Sequence, residues 1–216
     1  MSVLSKLACA QNRRDEAPNQ ELAKELATKV DRKGIREIAE NLWNNDKNIQ
    51  NDCIKVLYEI GYLKPDLIGD YVSDFVKLLS SRNNRLVWGG MIALSTVAAI
   101  RAKEVYAHLD KIRRAMANGS VITIDNGVKV LARVAAAKPE YNRAIFPYLL
   151  DLLEHCRPQS IAQYAESTLC AVNVQNRKKY IAVLTKRQSA LSPAQSARIR
   201  KILKTLSTAD KVERFL

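Results

Sequence analysis

The chain has 216 residues, 47% of them hydrophobic and 6% aromatic, enough apolar material for a continuous core and too much for a disordered segment. Lys and Arg number 35 against 22 Asp and Glu, so the formal net charge is +13, which favours anionic partners over cationic ones. No run is long and apolar enough to span a bilayer, and the longest alanine-rich runs are interrupted by Arg101 and Arg133.

The N-terminus, Met1–Ala10, carries Lys6 inside a short apolar run and is followed by Arg13, Arg14, Asp15 and Glu16, a poor secretory signal. Residues 1–18 are expected to form a tail, and Asn19–Val30 a capping helix. Five units follow, at about 31–61, 65–99, 102–137, 139–174 and 177–206, in a single domain over 19–206, with 207–216 as a C-terminal tail. Leu57, Leu94, Leu131, Leu169 and Leu206 mark them at steps of 37, 37, 38 and 37 residues. A period of this size belongs to units that cannot bury their own apolar faces and must stack on their neighbours.

Each unit reads as two helices. Leading segments carry Ile35, Val72, Leu109, Phe146 and Leu184, then Ile38, Phe75, Ile112 and Leu149. Trailing segments carry Cys53, Gly90, Gly127, Ala165 and Ile202 four residues before the leucine. Apolar positions three, four and seven apart make the one-sided stripe of an amphipathic helix rather than the alternation of a strand. Pro65 and Pro139 stand where a leading helix begins, a position that tolerates a missing amide hydrogen. Lys64, Arg101 and Lys138 stand where trailing helices end and a cation suits the dipole. Asn83-Asn84, Asn118-Gly119-Ser120 and Arg157-Pro158-Gln159 break the pattern between the helices of a unit.

At these columns the chain resembles HEAT repeats of the armadillo type. The trailing helices read Ile49-Cys53-Leu57, Leu86-Gly90-Leu94 and Ile161-Ala165-Leu169, with Thr123-Gly127-Leu131 as a weaker copy: an apolar opener, a small residue, a leucine. The resemblance covers about residues 31–206 and implies an all-α, right-handed superhelix of about five antiparallel helix pairs. The arginine ladder common in HEAT repeats is absent, because that column holds Gln50, Val87, Ile124, Ala162 and Ile199. The fold class therefore carries over and no subfamily does.

Charge is distributed unevenly. Residues 1–80 hold 12 basic against 13 acidic side chains, residues 81–170 hold 12 against 7, and residues 171–216 hold 11 against 2. The last unit contains Arg177, Lys178, Lys179, Lys186, Arg187, Arg198, Arg200, Lys201 and Lys204, with no acid between Glu166 and Asp210. This end reads as a patch for an anionic partner or as the polar cap that a terminal repeat requires.

The resemblance places trailing helices along the inner curve. Six and five residues before the leucine stand Asn51, Trp88, Asp125, Gln163 and Arg200, then Asp52, Gly89, Asn126, Tyr164 and Lys201. Two before it stand Lys55, Ile92, Lys129, Ser167 and Lys204. From these columns Asn51, Asp52, Trp88, Asp125, Asn126, Lys129, Tyr164, Arg200 and Lys201 are the groove candidates. Aromatic faces there would stack and cations would meet phosphate or carboxylate. The plainer alternative has Trp88 and Tyr164 filling gaps, with Asp125 and Lys129 paired across one helical turn.

Three function classes follow. A scaffold that docks a protein or peptide ranks first, and a DNA- or RNA-binding solenoid second. The third is an enzyme, since the chain is similar in size, charge and its Trp88/Asp125/Tyr164 row to the HEAT-like bacterial alkylpurine DNA glycosylases. It departs from them at Ile92, four residues after Trp88, where no acid stands. If it were such an enzyme, Asp125 would stabilise the sugar cation while Trp88 and Tyr164 stacked the lesion. No phosphate loop, hydrolase triad or His/Cys metal cluster is present, so no catalytic residue, metal or cofactor is assigned. Cys9, Cys53, Cys156 and Cys170 lack zinc-like pairing and read as reduced thiols of a cytoplasmic protein.

Overall fold

The computed structural model describes residues 2–213, with side chains as far as residue 207. Among the described residues there are twelve α-helices, short 3-10 turns and no strands. The helices are α1 Ala17–Lys29, α2 Arg32–Glu40, α3 Lys47–Leu63, α4 Val72–Leu78, α5 Asn84–Val97, α6 Ala102–Tyr106, α7 Leu109–Ala117, α8 Val121–Ala137, α9 Pro139–His155, α10 Pro158–Thr168, α11 Arg177–Lys186 and α12 Pro193–Glu213. The chain packs as two compact units, Met1–Val130 and Leu131–Leu216, and the division falls inside α8.

Local chemistry sets the helix ends. Asp31 accepts from the Gly34 amide at 3.0 Å, Asp46 from Asn48 at 2.7 Å and Asn83 from Arg85 at 3.0 Å, capping α2, α3 and α5. Pro139 and Pro158 open α9 and α10 at positions that need no amide donor. Ser192 and Gln195 cap α12 reciprocally: the Ser192 amide donates to Gln195 Oε1 at 3.0 Å, and the Gln195 amide to Ser192 Oγ at 3.4 Å. Between α1 and α2, Val30 takes a left-handed φ of 54°, and the Asp31 amide reaches back to the Leu26 carbonyl at 3.0 Å.

In the N-terminal unit, Leu57 and Leu94 are fully buried, as are Ile38 of α2 and Phe75 of α4. The small-residue column allows the helices of a pair to approach. A Cβ on Gly90 would lie 3.0 Å from the Phe75 carbonyl oxygen, and one on Gly127 would lie 2.5 Å from Met116 Sδ. The leading half of two repeats is not one helix. Residues 65–71 form 3-10 turns ahead of α4, and α6 and α7 break at His108, which leaves Leu109 half-buried at the start of α7. Arg101 does not cap its preceding helix by charge alone; its guanidinium pairs with Asp70 at 2.7 Å.

Residues 2–16 were expected as a tail, but they pack. Leu7 is fully buried, Ala8 is 3% exposed, and 3-10 turns span Val3–Lys6 and Cys9–Gln11. At the other end, the expected tail from 207 begins inside α12, which continues to Glu213; residues 214–216 lie outside the described residues.

In the C-terminal unit, Leu131, Ile145, Leu153, Ile161, Leu184 and Ile199 are fully buried. Leu169 is only half-buried, because α10 ends at Thr168 and the next three residues tighten into a 3-10 turn. Polar groups tie this interior together. Asn142 Nδ2 donates to the carbonyls of Ala135 (3.3 Å) and Ala171 (2.8 Å), and its Oδ1 accepts from Asn176 at 3.0 Å. The fully buried Tyr180 donates its hydroxyl to the Ala165 carbonyl at 2.6 Å and rests against Phe146.

Candidate binding surface

In the N-terminal unit the trailing helices α3 and α5 bring Asn51, Asp52, Lys55 and Trp88 around one recess of about 210 Å3. Its other wall is the N-terminal segment, with Cys9, Arg13, Arg14, Asp15 and Glu16. Helical spacing explains the grouping, since residues six before each leucine share one face and the next trailing helix repeats it. Asn51, Trp88 and Asp125 in that column are all half-exposed. In the column five before the leucine, Gly89, Asn126 and Tyr164 turn inward instead, while Asp52 is half-exposed and Lys201 exposed. A Cβ on Gly89 would lie 2.7 Å from Ile54 Cγ1 of α3, so this side of α5 packs against the preceding trailing helix.

Most of the polar side chains from the repeat helices at the recess are already engaged. Asp52 accepts the Cys9 amide through Oδ2 and the Asn19 side chain through Oδ1, both at 2.8 Å, while Asn19 accepts the Ala8 amide at 3.0 Å. It is therefore an anchor for the N-terminal segment rather than an open ligand group. Asn51 accepts from Asn83 at 2.8 Å, linking α3 to the cap of α5. Lys55, only 8% exposed, lies between Glu16 and Glu59 at 2.7 Å each, with its ammonium 4.9 Å from the Tyr58 ring centre. Burial lowers its pKa, but the hydrogen bonds to the two carboxylates more than reverse that and hold it above the usual lysine range. Glu16 also reaches Arg85 at 3.6 Å, and Arg85 stands 6.0 Å from the Trp88 ring. Burial, and then the hydrogen bond with Asp52, push the Cys9 thiol up to about 12.

The expected α8 members are less open. Asn126 is 6% exposed, donates to the Ile122 carbonyl at 2.9 Å and accepts from Lys129 at 3.2 Å. Lys129 is thus engaged by Asn126, and the expected Asp125–Lys129 ion pair does not form; Asp125 Oδ1 is buried without a hydrogen-bond partner.

The C-terminal unit requires two corrections. Tyr164 is 5% exposed, so it belongs to the interior and offers no stacking face. The basic end is also only partly available. Arg187 donates to the carbonyls of Leu153, Glu154 and Cys156 at the end of α9, as a cap. Lys186 pairs with Glu154 at 2.7 Å, Arg198 grips Glu166 through two nitrogens, and Arg177 is 8% exposed. Arg198 lowers the Glu166 carboxyl pKa, as Lys186 lowers that of Glu154. Lys178, Lys179, Arg200, Lys201 and Lys204 remain on the surface. Among the described residues no group of His, Cys, Asp or Glu is placed to hold a metal, and no helix is long and apolar enough to cross a membrane. The four cysteines are unpaired thiols.

Sequence reasoning found Asn51, Asp52 and Trp88 but missed the segment that covers them. Glu16 and Asn19 are the residues that mattered there, and neither lies in the repeat.

No protein-family model and no curated protein matches the sequence. Solved structures do. An engineered protein superposes with a TM-score of 0.68 at 17% identity over 96% of this chain and 98% of its own. A designed armadillo repeat protein in complex with the peptide (KR)4 gives 0.68 at 14% identity, over 87% and 86%. Kap121p bound to Pho4p gives 0.64 at 14% identity over 92% of this chain, which spans 22% of that protein. The fold is an armadillo/HEAT-type α-solenoid. Similarity to the alkylpurine glycosylases is not among these findings, and burial of Tyr164 removes the second stacking ring on which that resemblance relied.

Proposed function

We propose that this protein is a non-catalytic repeat scaffold that holds an acidic protein segment on the half-exposed faces of its trailing helices. The observation carrying this reading is the seat of Glu16. One carboxylate reaches both Lys55 and Arg85, in a recess that the Trp88 ring, 6.0 Å from Arg85, also lines. Charge-assisted bonds of this kind orient a carboxylate, and the neighbouring indole supplies apolar contact. The designed armadillo neighbour is in complex with a basic peptide, (KR)4, whereas this chain carries +13, so the preferred peptide has the opposite charge. The surface cations of α11 and α12 add long-range attraction that weakens with salt.

The test is a fluorescence-anisotropy titration with labelled acidic and basic octapeptides. Acidic peptides bind and (KR)4 does not; Glu16→Gln, which frees Arg85 and leaves Lys55 paired with Glu59 alone, raises acidic-peptide affinity by about 3–10-fold. Equal binding of both peptides, or of neither, overturns the proposal. A nucleic-acid reading rests on Lys178, Lys179, Arg200 and Lys201, which are exposed and make no ion pair among the described residues. It requires duplex or single-stranded binding that falls steeply with salt and is lost on changing those four to Gln.

A further inference from the structure

A second recess, of about 500 Å3, opens in the N-terminal unit between the α4–α5 turn and α7. Its charged lining is Arg82 from the turn and Lys111 and Arg114 from α7, and it contains no carboxylate. Lys111 and Arg114 are three apart on one helix and share a face. All three cations are exposed, and none makes an ion pair among the described residues. Ser80, Asn84 and Asn118 add polar groups to the wall. The Arg114 Nε donates to the Asp110 carbonyl at 3.3 Å and Asn118 to the Arg114 carbonyl at 3.1 Å, which steadies the arginine at the rim.

The repeat provides an internal comparison. Stepping by 37, the positions of Lys111 and Arg114 are held by Glu37 and Glu40, then Asp74 and Lys77, and after them by Tyr148 and Asp151. In the preceding repeat the cation is satisfied: Lys77 pairs with Asp74 at 3.4 Å and stands 6.0 Å from the Trp43 ring. Only the α7 copy places two cations at these positions, and the turn facing it supplies a third. Adjacent like charges cost energy unless an anion joins them.

We propose that this recess binds a phosphate group, as free phosphate or as a phosphate monoester. A tetrahedral dianion presents enough acceptor oxygens for two guanidinium groups and an ammonium converging from two elements, which a single carboxylate does not. This assignment is independent of the peptide-binding reading, since the recess shares no lining residue with the one around Trp88.

The test uses the full chain at low ionic strength, titrated with inorganic phosphate and separately with phenyl phosphate and followed by amide NMR. Both ligands shift the Ala115 and Gly119 amides, and Lys111→Gln/Arg114→Gln lowers affinity at least about tenfold, while changing the exposed Lys24 and Lys33, which lie outside the recess lining, to Gln leaves it unchanged. A preference for phenyl phosphate assigns the site to monoesters, and equal affinity assigns it to the free ion. If the double variant fails to fold, Arg82→Gln serves instead. Binding that survives these changes, that falls equally in the Lys24/Lys33 variant, or that appears only with duplex DNA overturns the proposal.

Discussion

The two units use similar chemistry to different ends. In the N-terminal unit, cations on the trailing-helix face are held by a carboxylate from the chain's own start, Glu16 on Lys55 and Arg85. In the C-terminal unit, the carboxylates of α9 and α10 neutralise Lys186 and Arg198, Arg187 caps a helix, and Lys178, Lys179, Arg200 and Lys201 stay in solvent. Net charge by sequence window, near zero in one region and strongly positive in the other, does not locate a site. Which cations already have a partner does.

The core sharpens this contrast and supplies the largest effect. Leu57 and Leu169 occupy equivalent repeat positions, but the first is fully buried and the second half-buried behind a 3-10 turn. Leu57→Ala should cost about 3–5 kcal/mol and Leu169→Ala about 1–2 kcal/mol, measured by urea unfolding. Equal losses would mean that the two columns are packed alike.

Polar anchoring comes next. The N-terminal unit secures its first segment with a carboxylate, Asp52, where the C-terminal unit uses the amide pair Asn142 and Asn176. Asp52→Ala leaves the Cys9 amide and the Asn19 side chain without their acceptor and should cost about 2–3 kcal/mol. It should also open residues 2–16 to proteolysis while leaving the C-terminal unit's resistance unchanged. An unaltered cleavage pattern would contradict the anchoring role.

The smallest effect is chemical. With its thiol pushed up to about 12, Cys9 is almost entirely protonated at pH 8 and should react slowly with iodoacetamide, its rate still rising as the pH approaches 11. Asp52→Asn removes an anion that opposes the thiolate, so the rate should rise at fixed pH. A wild-type rate that levels off below pH 10 would refute the environment described for this thiol.

Much of the architecture was legible because buried helices repeat a pattern. The leucine steps and the stripes locate α2 through α12, and the residue six before each leucine marks an accessible face. The adjacent column misled for a geometric reason. One residue along a helix turns the side chain by about 100°, enough to rotate Gly89, Asn126 and Tyr164 from the open face into contact or burial. The N-terminal cover was not legible, since 3-10 turns as short as Val3–Lys6 and Cys9–Gln11 carry no period, and the anchors Asp52 and Asn19 are 33 residues apart. The phosphate recess was visible only once the α4–α5 turn had been placed beside α7.

The most direct test of the account uses its two tryptophans as opposed reporters. Trp88 lines the Lys55/Arg85 recess, whereas Trp43 follows α2 on a leading segment, half-exposed near Lys77. On titration with an acidic octapeptide, the indole N–H resonance of Trp88 should move to saturation while that of Trp43 stays in place. Movement of Trp43 alone, or of neither resonance while the peptide binds, would contradict a carboxylate-receiving face on the trailing helices.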